Sequence, residues 1–381
     1  MKRLIIVANA SKEHIRKFHI PLIETLKKNG WMVDVACLLD EPVPEADHAY
    51  HLPYDRSPFR GSLFVSMRML RDILQRNQYD ILLCNTVVGS AVARLAAAPL
   101  RKKGLKVIYL NHGLHFFPGA SLLRWVMGYP MERGLSRRTD VLITINHTDY
   151  ATAKRHLKIP VIAQCCGMGV NLQRFRNAAL SPEERVKKRS ALGIGAKDFV
   201  LTYVAEITSN KNQKMLLDAF EIVGKTVPNT KLMLIGPEHD GGSLHKTIHR
   251  KGLQKDVLHL GWRNDVPTLL QLADVYVASS KSEGLGLNLV EAMAAGLPVV
   301  ATKNRGHAEL ISSGQNGFLV EINDSKAMAA YVLRLRSDPE LRETLTRQAQ
   351  STIEPFRTET AMRRLTEILS DHAHSENSSL V

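Results

Sequence analysis

The chain runs through one alternation twice. Short runs rich in branched apolar residues, at 4–8, 33–37, 81–84, 107–110, 141–145 and 161–164, are separated by stretches of helical period at 20–29, 63–78 and 89–103. After a polar, charged interval the pattern restarts, with apolar runs at 199–204, 231–235, 257–260, 275–278 and 299–302 and helical stretches at 214–223, 243–251, 266–272 and 287–295. Runs that are apolar throughout belong to strands covered on both faces, the condition of a parallel sheet. Parallel neighbours need crossover connections, and the helical stretches supply them. The chain is therefore read as α/β, with two doubly wound sheets. Its 381 residues are enough for two such domains.

Within the second set, residues 283–300 read as a Gly-rich loop, a helix, a Gly-Pro turn and a strand. A helix beginning near Gly286, Leu287 and Asn288 leaves backbone N–H groups without intrahelical partners. Those donors and the helix dipole favour an anion such as a diphosphate. Gly284 and Gly286 let backbone approach a ligand closely, and Leu285 completes the loop. Glu283 stands just ahead of the helix and Glu291 about one turn inside it. Carboxylates accept hydrogen bonds from hydroxyls, so one could hold a ribose and the other a sugar on either side of a diphosphate.

This segment resembles the E-x7-E motif of glycosyltransferase family 4. Both glutamates, the loop glycine, the run from Glu291 to Val299 and the later Glu309-Leu310-x-x-x-Gly314-x-x-Gly317 element stand in the family's order. Residues 111–117 (Asn-His-Gly-Leu-His-Phe-Phe), 140–146 and 17–21 are similar to a subgroup from bacterial exopolysaccharide clusters. The resemblance covers nearly the whole chain. It implies the GT-B fold, two Rossmann-like doubly wound domains facing each other across a cleft. Residues 1–172 would bind the acceptor and 198–357 the nucleotide sugar. Residues 173–197 are expected as the linker, and a helix within 358–381 is expected to complete the first domain.

The resemblance also assigns further residues. Lys211 matches the lysine that faces the donor phosphates, while Ala205-Glu206 stands where the family has Gly-Arg, leaving Glu206 without a defined role. Gly236 and Arg263 lie on loops with which relatives contact base and phosphates. His112, after a buried strand, matches a histidine beside the reacting sugar; His115 could serve instead. Asn9 and Ala10 end the first strand on the acceptor side, where many relatives carry a glycine pair. The catalytic set expected is Glu283, His112 and Lys211. No Asp-x-Asp motif occurs, so no metal or other cofactor is expected to be required. The implied reaction is retaining transfer by front-face substitution. The implied donor is a nucleotide sugar, most simply a UDP-hexose or UDP-N-acetylhexosamine. The implied acceptor is a polyprenyl-diphosphate-linked glycan, with other exopolysaccharide-assembly proteins as possible partners. The alternatives are a nucleotide-sugar epimerase or hydrolase on the same fold, or a basic nucleic-acid-binding protein.

Charge is lopsided. Of the formal net +14, residues 1–180 carry +13, from 26 Lys and Arg against 13 Asp and Glu. Such a basic half attracts anionic lipid head groups, at about 1 kcal/mol per cation near the surface, and would equally attract nucleic acid. No nucleic-acid recognition motif accompanies it, and the family's lipid-linked acceptors direct the reading to a membrane surface. The expected location is cytoplasmic, at the inner face of the cell membrane. The four cysteines, Cys37, Cys84, Cys165 and Cys166, fit no zinc spacing and read as small residues in a reducing compartment.

Overall fold

A computed structural model of the chain describes residues 1–54, 62–239 and 241–373. It divides into two units. One comprises residues 1–169 with the C-terminal segment from Thr358, and the other Val170–Arg357.

The first unit is built on seven parallel strands: β1 (Arg3–Ala10), β2 (Met32–Leu38), β3 (Ala49–His51), β4 (Ile81–Cys84), β5 (Lys106–Asn111), β6 (Val141–Thr144) and β7 (Val161–Gln164). Their order is β3-β2-β1-β4-β5-β6-β7. The central strands are buried on both faces, as the unbroken apolar runs require. Strand order reverses between β1 and β4, and ligands of open parallel sheets bind outside the carboxyl ends at such a reversal. Strand β3 has three residues with exposed ends and leaves no apolar run to read.

Helices Ile20–Lys28, Ser62–Asn77 and Val87–Ala97 stand where helical period places them. A π-helix, Ser11–His19, intervenes directly after β1. Helix Leu122–Ser136 exposes Leu122, Leu123, Val126 and Met127 while Trp125, Tyr129 and Leu135 turn inward; apolar residues on both faces leave no amphipathic signal in the sequence. The terminal helix Thr358–His372 buries Met362, Leu365 and Leu369 and packs on Ile20–Lys28. Of the span 358–381 expected to complete this unit, residues 374–381 lie outside the described residues.

The second unit has six parallel strands: β8 (Phe199–Val204), β9 (Thr230–Ile235), β10 (Val257–His259), β11 (Val275–Ala278), β12 (Val299–Thr302) and β13 (Phe318–Val320). Their order is β10-β9-β8-β11-β12-β13, so this sheet reverses between β8 and β11. The expected linker, 173–197, is corrected by the structure. Helices Leu172–Arg176 and Pro182–Ala191 occupy it, and Leu172, Phe175 and Ile194 enter the second unit's core. Arg189 is buried there, donating from Nη2 to the Leu272 carbonyl at 2.7 Å and to Asp274 Oδ2 at 2.9 Å. A charged helix that sends one arginine inward reads as solvated in sequence.

All four cysteines are free thiols. Burial pushes those of Cys37, Cys84 and Cys165 up to about 12, which suppresses the reactive thiolate. Among the described residues no helix is long and apolar enough to cross a membrane.

Candidate active site

In the second unit the reversal between β8 and β11 makes the site. The chain leaving β8 carries Ala205 to Lys211, and the chain leaving β11 carries Ser279 to Gly286. Because the two strands are neighbours, residues 72 positions apart meet: Lys211 Nζ donates to Glu283 Oε1 at 2.7 Å. Both side chains are largely buried, at 18% and 14% exposure. The Lys211 carbonyl accepts from Ser279 Oγ at 2.8 Å, and Asn210 Nδ2 donates to the Ser282 carbonyl at 3.0 Å. The lysine expected at a phosphate is therefore anchored to the expected sugar-binding carboxylate. An ammonium has three donors, so this pairing uses one of them.

The helix after the Gly-rich loop is Leu287–Ala294, with Gly286 at its start. Asn288 Nδ2 donates to the Val204 carbonyl at 3.1 Å, pinning the helix tip to the end of β8. Two tip amides are already engaged, Leu287 by the Leu285 carbonyl at 3.1 Å and Leu289 by the Gly286 carbonyl at 2.8 Å. The side chains of Leu285 and Leu287 pack against the core. What these two residues turn toward the loop is therefore backbone. Glu291 lies within the helix, where burial pushes its carboxyl up to about 7 against the opposing pull of Arg174.

Sequence reasoning missed His307. It is fully buried beneath Gly286. Its Nδ1 lies 2.7 Å from the Thr302 carbonyl; a carbonyl only accepts, so Nδ1 carries the proton and Nε2 is left as an acceptor. That Nε2 is buried and has no partner among the described residues. Burial lowers its pKa to about 4 against the charge of Glu283, so the ring is neutral at pH 7. The next-door Gly306 explains the close approach: a β-carbon there would sit 2.8 Å from Glu283 Cβ. His307 lies in the first turn of the short helix Arg305–Leu310 after β12, and no local sequence pattern marks it.

Two further donor-side candidates have partners of their own. Arg263 forms a two-pronged pair with Asp265, 2.7 Å from Nε to Oδ1 and 2.6 Å from Nη2 to Oδ2, so its guanidinium is committed two residues along. Glu206 is exposed, with its carboxylate 3.9 Å from His239 Nε2. Gly236 has φ +148°, and a β-carbon there would lie 2.1 Å from the Ala205 carbonyl oxygen. It permits the loops after β8 and β9 to touch, which is a backbone role.

In the first unit, Asn9 bridges the other reversal. Its Oδ1 accepts from Thr86 Oγ1 at 2.7 Å and from the Gly89 amide at 2.9 Å, fixing the start of helix Val87–Ala97. Ala10 ends β1 at the mouth of the π-helix. That helix delivers His19, buried at 1% exposure, to accept at Nε2 from Asn85 Nδ2 at 2.6 Å. Burial, then the charge of His112, holds His19 down to about 3. His112 leaves β5 with its ring 6.5 Å from that of His19 and 6.4 Å from Phe18. The imidazole is exposed at its surface, yet the surrounding protein and then His14 lower its pKa. His115 points elsewhere, toward helix Leu122–Ser136, with its Cβ 3.1 Å from where a side chain on Gly128 would begin. Of the two, His112 is the one beside the strand-end cluster.

Two parallel-sheet Rossmann-like units are the architecture of the GT-B class of glycosyltransferases. Residues 184–352 match the family "Glycosyl transferases group 1" and residues 3–146 match "Glycosyl transferase 4-like". EpsD of Bacillus subtilis, named as a glycosyltransferase, is 38% identical over 97% of this chain and 97% of its own length. The chain belongs to this glycosyltransferase family. The UDP-Gal:alpha-D-GlcNAc-diphosphoundecaprenol alpha-1,3-galactosyltransferase of Escherichia coli is 27% identical over 72% of this chain and 70% of that one. Among solved structures, HepE of Anabaena in complex with UDP and glucose superposes with a TM-score of 0.80 at 22% identity, covering 97% of this chain and all of that one. WaaG, involved in lipopolysaccharide biosynthesis, does so at 0.76 and 16% identity, over 97% and 99%.

Proposed function

We propose that the protein is a retaining transferase that moves a hexose or N-acetylhexosamine from a UDP-sugar to a polyprenyl-diphosphate-linked glycan, in exopolysaccharide assembly at the inner membrane face. The observation that carries this reading is the Lys211–Glu283 pair at the strand reversal. Glu283 would accept from a hydroxyl of the donor sugar. The free N–H groups of Lys211, with the helix dipole, would stabilise charge as the diphosphate departs. Front-face substitution then asks for no carboxylate nucleophile beneath the sugar, and with no Asp-x-Asp motif we assign no bridging metal. The diphosphoundecaprenol acceptor of the E. coli relative and the UDP bound by HepE support donor and acceptor classes. His112 is assigned to the sugar, with Asn9 shaping the loop beside it.

Glu291 is assigned to the ribose. A carboxyl whose folded pKa is raised contributes stability fully below its unfolded value, about 4.3, and loses it as pH rises through about 7. A ribose hydroxyl donating to the carboxylate favours the ionised form, so binding releases a proton. UDP-sugar affinity, measured by calorimetry, should therefore climb up to about tenfold per pH unit below 7 and level off above it. Glu291→Gln should flatten that slope; a slope surviving in the variant would remove the ribose assignment.

The membrane reading rests on helix Leu122–Ser136. Leu122, Leu123, Val126 and Met127 are 79%, 67%, 63% and 70% exposed, with exposed Arg124, Arg137 and Arg138 along and after the same helix. An apolar row flanked by cations suits an anionic bilayer surface. The chain should sediment with vesicles containing phosphatidylglycerol, transfer sugar to a polyprenyl-diphosphate glycan within them, and ignore neutral vesicles. Leu123→Asp with Met127→Asp should lower vesicle binding at least ~10-fold while leaving the UDP-sugar thermal shift intact. Equal binding to neutral vesicles would reject the docking role. UDP release without acceptor would move the reading to a hydrolase, and product sugar still joined to UDP to an epimerase.

A further inference from the structure

Beside the donor loops, three side chains from three elements converge. Glu238 follows β9, His245 stands in the first turn of helix Ser243–Arg250, and His259 ends β10. His245 Nε2 lies 3.1 Å from His259 Nδ1 and 3.4 Å from Glu238 Oε2, and all three donor atoms fall within 4.8 Å of one another. Metal bonds of about 2.0–2.1 Å at tetrahedral angles place ligand atoms about 3.3 Å apart, close to both separations.

The protons are what make the cluster informative. His259 Nε2 is 3.0 Å from the Gly236 carbonyl, which can only accept, so the ring proton sits on Nε2 and Nδ1 presents a bare lone pair. A carboxylate is also acceptor-only. Two acceptors thus aim at one nitrogen of His245, which can offer one N–H between them. Glu238 Oε1 is buried and has no partner among the described residues. A cation at the centre would satisfy all three lone pairs. The His259–carbonyl bond is the outer contact by which metal-binding histidines are held in the required tautomer.

We propose that Glu238, His245 and His259 form a site for one zinc-class divalent cation, with the remaining position open to water. Two imidazoles and a carboxylate suit zinc, nickel or copper over magnesium or calcium. The cation would cross-link the exits of β9 and β10 to helix Ser243–Arg250. The loop it holds is paired with the donor loop, through the Ile207 amide to the Pro237 carbonyl at 2.8 Å and the His239 amide to the Ile207 carbonyl at 3.0 Å. It is a structural clamp, separate from the diphosphate contacts assigned to Lys211.

The test uses the full chain, stripped with chelator and titrated with Zn²⁺ by calorimetry, with Co²⁺ absorption as a geometric probe. One equivalent should bind, raise the thermal midpoint, and give tetrahedral Co²⁺ bands. His245→Ala and His259→Ala should each weaken binding at least ~100-fold, and Glu238→Gln, which keeps shape, ~10–100-fold. His239→Ala, outside the cluster, should leave affinity unchanged. No saturable binding by the parent chain, or undiminished binding in both histidine variants, would overturn the site. None of these readouts depends on the sugar donor, so the site and the donor reading can fail separately.

Discussion

Glu283→Ala should lower turnover with UDP-sugar and lipid-linked acceptor by about 10²–10³-fold, the usual cost of deleting one preorganised polar group at a reacting centre. The fold should persist, because the carboxylate sits on a loop whose backbone is held independently: Arg305 Nε donates to the Glu283 carbonyl at 3.3 Å and Asn210 holds Ser282. The variant leaves Lys211 without its anchor, so Lys211→Ala should cost nearly as much. The double variant should cost little more than either single one, since groups that act as a unit are non-additive. Steady-state kinetics on the three proteins, with folding followed by circular dichroism, give the coupling. Additive losses would mean that lysine and glutamate work on separate parts of the donor, and near-normal turnover in Glu283→Ala would remove it from the site.

The second large effect concerns the helix offered to the membrane. Arg94, at 0% side-chain exposure, meets Glu132 at 5%: Nη1 to Oε2 is 2.7 Å and Nη2 to Oε1 is 3.2 Å. The guanidinium also lies 4.4 Å from the centre of the Tyr109 ring. Glu132 belongs to helix Leu122–Ser136, and Arg94 to the helix whose start Asn9 fixes. The pair therefore ties the outward apolar row to the sheet. Arg94→Ala leaves a buried carboxylate unmatched and should cost the first unit about 3–5 kcal/mol. Replacing both residues by methionine should restore most of that stability, because an apolar pair of similar volume has no charge to desolvate. Urea unfolding followed by fluorescence from Trp125, which packs on Phe116 in this unit, would resolve it from the second unit. A loss below about 1 kcal/mol in Arg94→Ala would show that water reaches Glu132.

Glu283, Glu291 and the glycines between them were legible because they belong to one loop–helix segment, where turn chemistry and helix termini are short-range. Arg263 could have been read more narrowly: Asp265, two residues on, was visible and takes both prongs of its guanidinium. The segment 173–197 misled because exposed charges outnumber its few inward residues, Phe175, Arg189 and Ile194. Helix Leu122–Ser136 escaped for a different reason, since apolar side chains on both faces, Leu123 and Met127 outward and Trp125 and Leu135 inward, blur its period. His307 carries no local signal, and its unpartnered nitrogen exists only once β12 lies beside β11.

Most of the strands, most crossover helices, the two-unit α/β class and the Gly-rich loop with its helix were readable from the chain, because they follow from periodicity and from backbone groups near a terminus. Tertiary structure decided the pairings: Lys211 with Glu283, Asn9 with Gly89, Arg94 with Glu132, and the meeting of Glu238, His245 and His259. Those depend on which strand ends become neighbours, and strand order is set by the packing of the whole sheet rather than by any stretch of chain read alone.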